Sequence, residues 1–170
     1  SSQELKSLAQ VSFFGETANT TQRNYSASDI RQFFEPDESP AYYSYSTIRE
    51  DYATLFERFM MAYRMGVSAD VGIVSTQGEG FPVSWGERDR FNQASIRPRV
   101  KAVVDNILPG LATDSVLDSL PAPSPLVGGV EWQENRITDT TKQGRSKQKS
   151  QSERPEIILL HKKFPAKPEQ

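Results

Sequence analysis

Cysteine is absent from this chain, which excludes a disulfide scaffold and any thiolate metal site within it. Histidine occurs once, as His161. That leaves no material for a multi-imidazole metal centre and makes a Ser-His-Asp triad a poor reading. No apolar run is long enough to span a bilayer, and no signal peptide is present. Charge of one sign is also missing: the net charge is −2, so no general attraction to nucleic acid or an anionic membrane follows. A Walker loop, a dinucleotide fingerprint and internal repeats are lacking as well. None of these absences fixes a compartment. The 170 residues suffice for one domain of modest size. The chain opens on Ser1 rather than Met, and we expect a processed product or a portion of something longer. Sequons at Asn19-Thr20-Thr21 and Asn24-Tyr25-Ser26 matter only after eukaryotic secretion.

What the chain does contain is one strong helix signal, from Ser46 to Gly66. Ile48, Tyr52, Leu55, Phe56, Phe59, Met60 and Tyr63 recur with helical period and make a broad apolar face. A different line holds Glu50, Ala53, Glu57 and Met61, so two carboxylates and a small residue project together, turn above turn. Thr47-Ile48-Arg49-Glu50 reads as a capping box, with Thr47 accepting from a first-turn N–H and Glu50 reaching back. Glu50 and Asp51 also suit the positive end of the helix dipole. Gly66 is the left-handed stop.

Around this helix the pattern predicts a mainly α chain with a few short strands, an α+β fold. Helices are expected over 2–10, from Ser28-Asp29 through Phe34, over 95–108 with Pro98 in the first turn, and briefly over 114–120. Val11 to Phe14 reads as an apolar patch ending at Gly15, and 16–25 as loop. Short strands are expected at 71–75, 81–85 and 156–161. We divide the chain into a helical domain over 1–110, a Pro-rich and polar linker over 111–155, and a strand-like docking tail over 156–170. Asn135 to Pro155 has almost no apolar residue, so it is expected to be mobile or extended over a larger body. An apolar strand after such a tether points to docking on a sheet edge elsewhere.

Other residues carry paired readings. Tyr42, Tyr43 and Tyr45 line a pocket or pack against the long helix. Arg88 and Arg90, behind Trp85, bind an anion or close a salt-bridged loop with Glu87 and Asp89. His161 is a ligand or an exposed strand end. Lys142, Arg145, Lys147 and Lys149 lack interleaved aromatics and read as a solvated tether rather than a phosphate contact. Met60, Met61 and Met65 read as core filler.

The run Glu50-Asp51-Tyr52-Ala53-Thr54-Leu55-Phe56-Glu57 resembles the third-ligand helix of gluzincin-type zinc metallopeptidases. It is most similar to the groups like anthrax lethal factor and like the Mlc titration factor. The resemblance covers at most about the first 65 residues. It implies that Glu50 is a zinc ligand, Ala53 a close-packing residue, and Tyr52 the family's aromatic. Glu57, with Asp51, takes the supporting place behind the metal. Tyr42, Tyr43 or Tyr45 would assist at the oxyanion. The chain departs from the family in one large respect, since it contains no H-E-x-x-H. The two histidines and the general base would therefore come from an upstream segment or a companion chain, and these residues alone would hydrolyse nothing. The resemblance implies a peptide or protein substrate and an extracytoplasmic setting, periplasmic, lipoprotein-like or secreted. Two further readings stand beside it. One is a non-enzymatic helical binding or assembly module whose tail docks on a partner. The other is a degenerate peptidase domain kept for its fold.

Overall fold

The computed structural model describes residues 2–75, 81–136 and, for the backbone alone, 156–158. The fold is α+β, several helices around a small sheet. The first three helices each start on a side-chain cap. Helix α1 (Gln3–Phe14) is capped by Ser2, whose hydroxyl accepts from the Leu5 N–H, and it ends on Gly15 at φ 76°. It runs past the expected end at Gln10. The Val11–Phe14 patch is its last turn, because the left-handed residue that closes it comes only at Gly15. Helix α2 (Thr20–Arg23) lies inside the stretch read as loop. A reciprocal Asn19–Gln22 capping box supplies the bonds that so short a helix cannot make internally. Helix α3 (Ala27–Phe34) starts from a second such box, Ser26 with Asp29.

A 3-10 turn, Tyr42–Tyr45, leads into helix α4 (Ile48–Met65). Helix α5 (Arg97–Ile107) carries Pro98 in its first turn, and helix α6 (Thr113–Ser119) follows. Strands β1 (Asp70–Val74) and β2 (Val83–Arg88) pair antiparallel, with Gly72 opposite Gly86 and Asp70 opposite Arg88. Strand β2 continues three residues beyond the expected Trp85, since Glu87 and Arg88 take ladder positions despite their charge. Strand β3 (Ser124–Pro125) adds to β2, and strand β4 (Glu156–Ile158) adds to β1 in parallel. The sheet order is β3-β2-β1-β4.

Alternation along β1 divides the core. Val71 and Ile73 face Leu5, Ala9, Ile30 and Phe34 of α1 and α3, together with Tyr42 and Tyr45. The opposite face carries Gly72 and Gly86 beside Val74 and Val83, which pack with Leu126 and Trp132. A Cβ on Gly72 would lie 2.5 Å from the Trp132 ring, and one on Gly86 would lie 2.6 Å from Leu126. A second cluster joins Leu55, Phe59 and Ala62 of α4 to Phe91, Val100 and Val104 around α5, and to Leu117 of α6. The stretch 111–136, read above as the start of a linker, thus packs into the body. Leu117 is 1% exposed and Leu126 is 8%, and apolar side chains hidden to that degree hold their segments in place. The polar stretch 137–155, and the tail beyond 158 with His161, lie outside the described residues.

Candidate functional site

Helix α4 is anchored on one side and open on the other. Leu55, Phe59 and Ala62 are sunk in the second core cluster. Thr47 caps the helix, its Oγ1 accepting from the Glu50 N–H at 3.1 Å. Only this half of the expected box forms. Among the described residues, the Glu50 carboxylate takes no hydrogen bond or ion pair, and its residue is half-buried. Ala53 and Glu57 are exposed.

The adjacent Asp51 is differently employed. It ion-pairs with Arg99 of α5, and Arg99 also donates to the Glu38 carbonyl. Burial raises the Asp51 carboxyl above its ordinary range, and Arg99 opposes that shift. Asp51 therefore ties α4 to α5. Glu57 stands two turns from Glu50, a rise of about 10 Å along the axis. A single ion held by Glu50 is out of its direct reach, so any support from Glu57 passes through an intervening group.

The three tyrosines separate. Tyr45 is 5% exposed and donates to Asp37 at 2.9 Å. Burial, with Asp37 beside it, drives its phenol pKa far upward. Tyr42 is 6% exposed, and its hydroxyl meets Ser12 Oγ at 2.9 Å. Tyr43 stands at the surface, edge-on to Phe13 with centroids 4.9 Å apart. Tyr52 meets Asn106 of α5 through its hydroxyl at 2.9 Å. Among the described residues no group of three His, Asp or Glu side chains is placed to hold a metal ion. Glu50 is joined, among the described residues, by no second and third ligand of that kind. An open groove of about 620 Å³ lies at the far end of α4, lined by Met60, Tyr63, Arg64 and residues of the α5 terminus. It does not include Glu50.

The densest polar constellation is the one after Trp85, and it is structural. Arg88 forks onto Asp70 at 2.7 and 2.8 Å and also donates to the Asn135 carbonyl. Arg90 is 1% exposed. It donates to the carbonyls of Ser39 and Phe34 at 2.9 Å, of Glu35 at 3.1 Å, and of Asp37. It also donates to the Glu87 carboxylate at 2.8 Å, and its guanidinium lies over the Phe34 ring, 4.7 Å from the centroid. These carbonyls belong to the end of α3 and the turn beyond it, groups a helix leaves unsatisfied. The salt-bridged reading of this segment is the one observed. Asp89 sits at φ 54° and accepts from Ser68 Oγ at 2.8 Å and the Ala69 N–H at 2.9 Å. The alternation Glu87-Arg88-Asp89-Arg90 signals ion pairing but gives no hint that Arg90 is the buried member. Among the described residues no helix is long and apolar enough to cross a membrane. No family model matches the chain, and neither a curated protein nor a solved structure matches it.

Proposed function

We propose that this chain contributes Glu50 as the third, carboxylate ligand of a zinc-dependent peptidase site. An H-E-x-x-H segment outside this sequence completes the site and brings both histidines and the general base. The observation that carries the reading is the half-formed cap of α4. Thr47 secures the helix end alone, and the Glu50 carboxylate is left without a partner among the described residues. A carboxylate spared from capping, on a helix anchored from behind, is oriented without being consumed. Ala53 leaves the same side low enough for another element to approach. Asp51 is already held by Arg99 and fixes α4 rather than competing for the ion. Zinc bound there would supply a Lewis acid for the scissile peptide carbonyl.

The test is the zinc content of the assembly formed with the H-E-x-x-H-bearing segment. Glu50→Ala is expected to lower zinc occupancy sharply, and Glu50→Gln to lower it nearly as far, because an amide is a poorer zinc ligand. Full zinc content in Glu50→Ala would remove this residue from the site. A non-enzymatic assembly module is the second reading. It is supported by the motif-poor second half of the sequence, and strand β4 lies on this chain's own sheet rather than on a partner's. An assembly that binds no zinc in the parent form would leave that reading in possession.

A further inference from the structure

We draw no further inference here: the strongest candidate, the open apolar groove where helices α4 and α5 end, lined by Met60, Tyr63, Arg64, Leu108 and Leu111, carries nothing, because nothing in the structure shows what covers it and Arg64 is accounted for by its place in the last turn of α4, where a cation complements the helix dipole.

Discussion

Replacing Arg90 by Met tests whether this side chain holds the end of α3 to β2 as described. The substitution keeps an unbranched side chain of similar length and removes the guanidinium. It strands the carbonyls of Glu35, Asp37 and Ser39, leaves that of Phe34 with the Asp37 N–H, and deprives the Glu87 carboxylate of its buried cation. Breaking a buried pair by deleting one partner costs about 3–5 kcal/mol. Glu87 keeps two bonds from Gln93, at 2.7 and 2.8 Å, which favours the lower part of that range. The remaining loss comes from helix-end carbonyls with no replacement donor. Against a total stability of about 5–15 kcal/mol, this is a large fraction. Urea unfolding followed by circular dichroism measures it. With a slope of about 2 kcal/mol per M, the midpoint should fall by roughly 2 M with the slope unchanged. Arg90→Lys retains the charge but cannot reach several acceptors at once, so it should lose about half as much. Glu87→Gln in the Met background should cost little beyond Met alone, because the two residues share one interaction. A loss below about 1 kcal/mol for Arg90→Met would refute the reasoning, since a guanidinium that bridges α3 to β2 cannot be that cheap to remove.

Three further outcomes follow from the geometry. Gly72→Val should destabilise by about 1–3 kcal/mol through overpacking against Trp132; in a Trp85→Phe background, displaced Trp132 should show red-shifted emission, and an unchanged spectrum and midpoint would count against the contact. Thr47→Ala should cost about 1 kcal/mol and Glu50→Ala less than about 0.5 kcal/mol in thermal unfolding, because only Thr47 closes the α4 cap; equal losses would mean that Glu50 is consumed in capping after all. Burial pushes the Asp89 carboxyl above its ordinary value of 3.8. The folded state thus holds that proton more tightly than the unfolded one, and this contribution is complete below about pH 4 and fades as pH rises through the folded value. Asp89→Asn lacks the titration and tolerates the left-handed backbone, so its stability relative to the parent should improve from about pH 4 toward neutrality. A difference that is flat with pH would refute the shift.

The long helix was legible because every signal agrees there. Apolar residues keep helical period, Thr47 caps the start, and Gly66 adopts φ 63° at the stop. The α+β class was legible for the same reason, since helical periods dominate and short β-branched runs sit between glycines. Helix α2 was not, because Asn19 and Gln22 stabilise a single polar turn that has no apolar face to betray it. The span of β2 was misread because Glu87 and Arg88 are charged, and their acceptance into the ladder depends on Asp70 across the strand and Gln93 beyond it. Burial of Arg90 depends on carbonyls about fifty residues upstream, at Phe34 and Ser39, a relation no local window contains. The tail was legible as a strand but not as a neighbour of β1, because pairing partners are fixed by topology rather than by composition. For the site, the sequence located Glu50 and its helix end. That the cap would leave its carboxylate unengaged is a matter of side-chain rotamer, which residue identity does not specify.

The glycine-lined face of the sheet has a consequence for synthesis on the ribosome. Gly72 and Gly86 leave a trough that, among the described residues, the later segment around Leu126 and Trp132 fills. A nascent chain that has already paired β1 with β2 therefore carries an uncovered hydrophobic hollow until roughly forty further residues have emerged. Closure of that hollow is a late, long-range event, and a ribosome stalled in this interval would expose a sticky half-sheet to its neighbours.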